Sequence, residues 1–234
     1  MAMAGPQAAM TAERRPSLVD DAYAAMKEAI RESTFPPGYQ ASAQEIALRL
    51  GMSRTPVHEA SLKLQEEGLV RIVPKRGIVI RALAPDDIRE IYDVIIAIEG
   101  RAAELVAALP EAERRAIAAD LAAHTDAMET ALAEGDLTGW GRADAAFHRG
   151  LIEGARNGRI ARIVQTINDQ MHRARMLTLR LRGELPESIV EHRRITEAIR
   201  AGDAGAAHLA ARGHRLRTQR ELIPLLERWG LKHL

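Results

Sequence analysis

The chain has no cysteine among its 234 residues. Disulfide frameworks and thiolate-ligated zinc sites are thereby excluded, and any bound metal must use nitrogen and oxygen ligands. Aromatic residues are scarce, with two Phe, three Tyr and two Trp, so a core must be built from Leu, Ile, Val, Met and Ala. No apolar run approaches the ~18–20 residues of a membrane span, and the N-terminus lacks the basic-then-apolar layout of a secretory signal. The expectation is a cytoplasmic protein without a membrane partner. A large net charge is missing too, the balance being +1, so total charge alone says nothing about nucleic acid.

What is present is a globular composition, 47% hydrophobic and 28% charged, preceded by the polar "MAMAGPQAAMTAERR", expected to be a disordered tail over 1–16. The length suits two domains better than one. Charge is unevenly placed. Between 49 and 81 stand Arg49, Arg54, Lys63, Arg71, Lys75, Arg76 and Arg81 against only Glu59, Glu66 and Glu67. Such a local excess suits a phosphate backbone, the alternative being a solvated basic face.

Leu18, Ala22, Met26 and Ile30 recur at fours, which predicts a helix, and "FPPGY" at 35–39 ends it. Ser42 to Glu45 forms a capping box for a second short helix that Gly51 closes. Ser53 is placed to cap a third, with Pro56 tolerated in its first turn and Gly68 at its end. "LVRIV" and "IVIRAL" then flank "PKRG" as a hairpin with a basic tip. Helix, helix-turn-helix and hairpin in this order predict a winged helix-turn-helix over 17–82. After a linker at 83–86, strand signals vanish. Amphipathic segments at roughly 86–108, 111–134, 137–155, 158–182, 187–201 and 204–229, separated by Gly- or Pro-bearing turns, predict a six-helix antiparallel bundle filling 87–234. The fold class expected is mainly α.

The stretch "MSRTPVHEASLKLQEEGLVRIVPKRG", with "PPG" and "SAQEIALRLG" before it, resembles the GntR family of bacterial transcription regulators, whose recognition helix commonly reads S-R-T-P-V-R-E-A. The all-helical second half resembles the FadR-type branch with its FCD effector domain. The resemblance implies a homodimer on a palindromic double-stranded operator. In such a reader the first turn of the recognition helix enters the major groove. Arg54 carries a fork suited to guanine, Thr55 can reach a base edge or phosphate, and Ser53 can touch phosphate as well as cap. Lys75 and Arg76 on the wing can reach the minor groove or backbone, with Gly77 allowing the turn. His58 stands where the family usually has arginine, so an altered base preference is expected there. Gln44 can read adenine or hold phosphate, or be an ordinary exposed residue.

In "RADAAFHRG", Asp144 and His148 lie one helical turn apart and on one face. Alone they would be a surface pair. His192 in "SIVEHRRITEAI" and His214 in "AARGHRLR" complete the pattern by which FCD domains are known to ligate metal, and Phe147 and Asn157 match the flanking text. The resemblance thus implies Asp144, His148, His192 and His214 as ligands of a divalent cation, and Glu191 is not assigned as their partner. Imidazoles with one carboxylate suit zinc first, with nickel, manganese or iron as alternatives. A coordination position left open would receive the carboxylate of a small organic acid. The alternative is a closed metal that only ties helices together. Where the family often has an arginine, one turn before "LE", this chain has Ile95. Arg101, Arg142, His172 and Arg175 are therefore the candidates for anchoring the effector. The function expected is a DNA-binding regulator, most simply a repressor, controlled by that acid. The competing class is a metal-dependent hydrolase fused to a DNA-binding module, but no H-E-x-x-H motif supplies a general base.

Overall fold

Ser17 opens α1 (Leu18–Arg31) with a reciprocal box, its hydroxyl accepting from the Asp20 amide while the Asp20 carboxylate accepts from the Ser17 amide. The same device, Ser42 with Glu45, opens α2 (Ala43–Leu50), which Gly51 closes at φ +67°. These are features of the computed structural model, which describes residues 17–32, 34–82, 84–178 and 185–228. The expected tail at 1–16 lies outside them.

The third helix, α3 (Arg54–Glu66), corrects one expectation. Ser53 occupies the N-cap in extended conformation, yet its side chain makes no capping bond. The reason is local. In α1 and α2 the serine hydroxyl accepts from the amide three residues on, and here that residue is Pro56, which has no N–H to give.

The wing is a three-stranded antiparallel sheet, β1 (Gln40–Ala41), β2 (Val70–Val73) and β3 (Gly77–Ile80), in the order β1-β3-β2. The hairpin β2–β3 follows the sequence reading. The added strand β1 is two residues long, too short to show a period. It explains Gly77 more fully than the turn does. With φ +89°, a Cβ there would also stand 2.5 Å from the Ala41 carbonyl oxygen. Met26, Ile30, Phe35, Ile46, Val57, Leu64, Leu69 and Ile80 form the core beneath.

Among the described residues, six further helices make the second unit: α4 (Pro85–Ala107), α5 (Glu111–Ala133), α6 (Leu137–Gly154), α7 (Gly158–Thr178), α8 (Leu185–Ala201) and α9 (Ala204–Arg228). Helix α4 begins at Pro85, so Pro85 and Asp86 of the expected linker stand in its first turn, and the Asp87 carboxylate accepts the Ala84 N–H. The expected end of α7 at 182 lies outside the described residues. Helix α8 starts two residues before the expected 187 because Pro186 fits a first turn, where no N–H is required. Helix α4 lies along α9, and α5 packs on α6 and α8. Between them Ile88, Val106, Leu121, Met128, Trp140, Phe147 and Ile195 form a second, separate core. Among the described residues no helix is long and apolar enough to cross a membrane. The two units touch where α7 meets α1 and where the Gln170 side chain donates to the Glu67 carbonyl at 3.0 Å.

Candidate metal centre and DNA-facing surface

Trp140, Asp144, Phe147, His148 and Leu151 recur at threes and fours on α6 and are all buried. Asp144 and His148 therefore lie on the apolar face of their helix and point into the bundle. There they meet His192 from α8 and His214 from α9, and all four residues are at most 5% exposed. The three histidines place ring nitrogens within 4.8 Å of one another. The Nε2 atoms of His148 and His192 stand 3.2 Å apart, and Asp144 Oδ1 lies 3.6 and 3.8 Å from them. Ligands at ~2.1 Å on a tetrahedral or octahedral ion stand roughly 3.0–3.4 Å apart; the His148–His192 separation falls in that range, and Asp144 Oδ1 stands a few tenths of an ångström outside it.

The outer ring nitrogens support that reading. His214 Nδ1 is 2.7 Å from Glu191 Oε2, and His148 Nδ1 is 3.2 Å from Glu99 Oε2. On His214 the carboxylate hydrogen bond fixes the proton at Nδ1 and leaves the Nε2 lone pair directed inward, whereas the His148–Glu99 contact is a close approach without hydrogen-bond geometry. Glu191 is itself held by Arg217, through Nε at 2.7 Å and Nη2 at 2.8 Å. His192 has no hydrogen-bond partner on Nδ1 among the described residues, and its ring stacks on Phe147 at 4.1 Å. Burial, with His214 and His148 nearby, holds the His192 imidazole well below its ordinary value. Burial, with His148 and Arg215, does the same for His214. Neutral imidazole is the form that binds metal.

Beside the cluster lies a buried ion pair that sequence reading missed. Arg215 donates from Nε at 2.6 Å and from Nη2 at 2.5 Å to the two oxygens of Glu99. Burial opposes ionisation of Glu99, but Arg215 and His148 outweigh it and hold its carboxyl well below the usual range. Arg215 is driven the other way, raised above the ordinary guanidinium value because Glu99 overcomes its burial. Glu99 and Arg215 are 116 positions apart, so no local pattern marks them.

A cavity of about 340 Å³ abuts His148, Glu99 and Arg215. Among the described residues, the expected effector anchors Arg101, Arg142 and His172 do not line it. Arg101 pairs with Glu104 on the outside of α4, and Arg142 is exposed near Asp136. His172 is half-buried on α7, and the side chain of Arg175 lies outside the described residues. Ile95 does line the cavity.

On the first unit, Gln44, Ser53, Arg54, Thr55, His58, Lys75 and Arg76 are all exposed, and Gly77 is half-buried. Lys63 and Arg81 are held by Asp20 and Asp87. Among the described residues Arg54, Lys75 and Arg76 carry no ion pair, so their charge remains available to a phosphate or base edge. Lys75 adopts φ +63° at the wing tip, and the Gln40 side chain donates to the Arg76 carbonyl at 2.8 Å, fixing that tip.

Residues 90–217 match the FCD domain, and residues 18–80 match the gntR family of bacterial regulatory proteins. An uncharacterized HTH-type transcriptional regulator from the TAR-I ttuE-ttuC' intergenic region of Agrobacterium vitis is 54% identical over 134 residues, spanning 57% of this chain and 78% of that protein. The uncharacterized HTH-type transcriptional regulator YdhC of Bacillus subtilis is 30% identical over 186 residues, spanning 79% and 82% of the two chains. The solved structure of E. coli McbR/YncC shares the fold with a TM-score of 0.75 at 18% identity, over 90% of this chain and 99% of that one.

Proposed function

The chain belongs to the gntR family of bacterial regulatory proteins, in the FadR-type branch with an FCD domain, and from that premise we propose that it is a repressor whose operator affinity is set by a small organic acid bound at or near a divalent metal. The observation that carries this reading is the convergence of His148, His192 and His214, with Asp144 beside them, in the buried interior of the bundle next to the Glu99–Arg215 pair. Imidazole nitrogens turned toward one another in a buried space are costly unless something satisfies them together. A divalent ion, zinc before nickel, manganese or iron, would do so and would present an open position to a carboxylate.

The rest follows from linkage. Arg54 and Thr55 enter the major groove, Ser53 and Gln44 contact phosphate or bases, and Lys75 and Arg76 flank them from the wing. His58 replaces a fixed charge with an imidazole and changes the preference at one base step. A homodimer carries two such readers on a palindromic operator in the cytoplasm. An acid that binds one arrangement of the two readers better than the other shifts the population toward it, here toward release.

The test is thermal stability of the zinc-loaded chain against a panel of small carboxylates, with Asp144→Ala alongside. A ligand that prefers the folded state raises the melting temperature. The expected result is stabilisation that requires both metal and Asp144. Equal stabilisation of the metal-free protein would remove the metal from the effector site.

A further inference from the structure

The three histidines of the bundle differ in what stands behind them, and His214 has the fullest support. Ser188 and Glu191 lie three apart on α8, and His214, Arg217 and Glu221 recur at threes and fours on α9, so these two helix faces meet side by side. Arg217 grips both oxygens of Glu191, through Nε at 2.7 Å and Nη2 at 2.8 Å. It also donates from Nη2 to the Ser188 hydroxyl at 2.8 Å and from Nη1 to Glu221 Oε2 at 3.2 Å. The Glu191 carboxylate is thereby fixed where its Oε2 accepts from His214 Nδ1 at 2.7 Å.

His148 and His192 are arranged differently. Their Nε2 atoms lie 3.2 Å apart, a distance at which one ring donates and the other accepts. Glu99 Oε2 stands 3.2 Å from His148 Nδ1 and favours the proton on that atom, which leaves His148 Nε2 as the acceptor. The donor is then the Nε2–H of His192. Its own Nδ1 is buried and has no hydrogen-bond partner among the described residues. A proton placed there would be a buried N–H without an acceptor, the costlier kind of orphan.

We propose that the three are unequal ligands. Arg217, acting through Glu191, is a positioning residue that sets His214 in advance with its Nε2 lone pair inward. His192 binds a cation only after its proton moves from Nε2 to the unpartnered Nδ1, because a ligating imidazole needs its other nitrogen to carry the proton. His214 is therefore the anchor of the set and His192 its weakest member. This deepens the metal reading above and rests on it.

Two-bond proton–nitrogen correlation spectra of the full chain, metal-free and zinc-loaded at neutral pH, test the inference because they tell the two ring nitrogens of each histidine apart. His214 should carry its proton on Nδ1 in both states, and His192 should carry it on Nε2 without zinc and on Nδ1 with zinc. In Arg217→Gln the metal-free His214 should become a mixture of the two forms, a change that loss of a merely structural contact would not produce. The same variant should weaken zinc binding by about 3–10-fold, at or below the low end for a direct partner of a ligand, and should add little in a chain that already carries Glu191→Gln. A His214 that changes form on loading, a His192 already protonated on Nδ1 without zinc, or an Arg217→Gln effect that multiplies with that of Glu191→Gln overturns the inference and leaves the metal reading standing. Zinc that alters none of the three rings overturns both.

Discussion

At the scale of single residues, the histidine cluster is governed by burial. His192 and His214 are held well below the ordinary histidine value, so the unfolded chain takes up protons that the folded chain refuses. Stability therefore rises with pH in this range. In the metal-free protein it is fully present above an unfolded value near ~6.5 and is lost as pH falls from there toward the depressed folded values. Urea midpoints measured from pH 8 to pH 5 should fall on acidification, and a flat profile would contradict neutral buried imidazoles. Glu191 acts on His214 from outside the ligand set. On the proposed metal reading, Glu191→Gln should weaken zinc binding by about 10–100-fold, read by competition with a chelating dye, while Asp144→Ala should weaken it at least as much. Arg215→Met leaves the buried Glu99 uncompensated and should destabilise the bundle by about 3–5 kcal/mol, with Glu99→Leu in the same chain restoring much of the loss. Equal melting temperatures for the single and double variants would show that the pair is not coupled.

At the scale of elements, three serines that look alike in sequence separate into two kinds. Ser42 caps α2 through a real bond, so Ser42→Ala should cost about 1 kcal/mol. Ser53 makes none, because Pro56 supplies no amide, and Ser53→Ala should leave the melting temperature almost unchanged while any effect appears in DNA binding. Gly77→Ala meets both a positive φ and the Ala41 carbonyl. It should destabilise the wing by about 1–3 kcal/mol and weaken binding to every DNA sequence alike. Arg54→Ala should instead cost about 1–3 kcal/mol at one base position and relax specificity there, measured by anisotropy on an operator and its single-base variants.

At the scale of the whole molecule, two separately cored units meet at a small contact, with α7 against α1 and Gln170 on the Glu67 carbonyl. A modest interface of this kind permits two arrangements that differ by little energy, which a ligand that prefers one of them can bias. Cutting the contact with Gln170→Ala should leave each core intact, and so the denaturant midpoint nearly unchanged. On the proposed effector reading it should reduce the ligand-induced change in operator affinity, and undiminished coupling would place the communication elsewhere.

Much of this molecule is written locally. The capping boxes at Ser17 and Ser42, the glycine at 51, the hairpin around "PKRG" and the amphipathic helices depend on neighbours within a turn or a strand, and the chain's own letters settle them. The four proposed ligands were legible too, through the spacing of Asp144 and His148 and the resemblance of the text around His192 and His214. The short strand β1, the Glu191–His214 contact and the Glu99–Arg215 pair were not. Each joins positions 23 to more than a hundred residues apart, or is too brief to carry a period. The order of letters along the chain settled the helices and the hairpin and the faces they bury, but not the short strand β1. Only the tertiary structure decided which polar groups share the buried space between those faces, because that choice depends on how whole helices pack, and no local rule reaches so far.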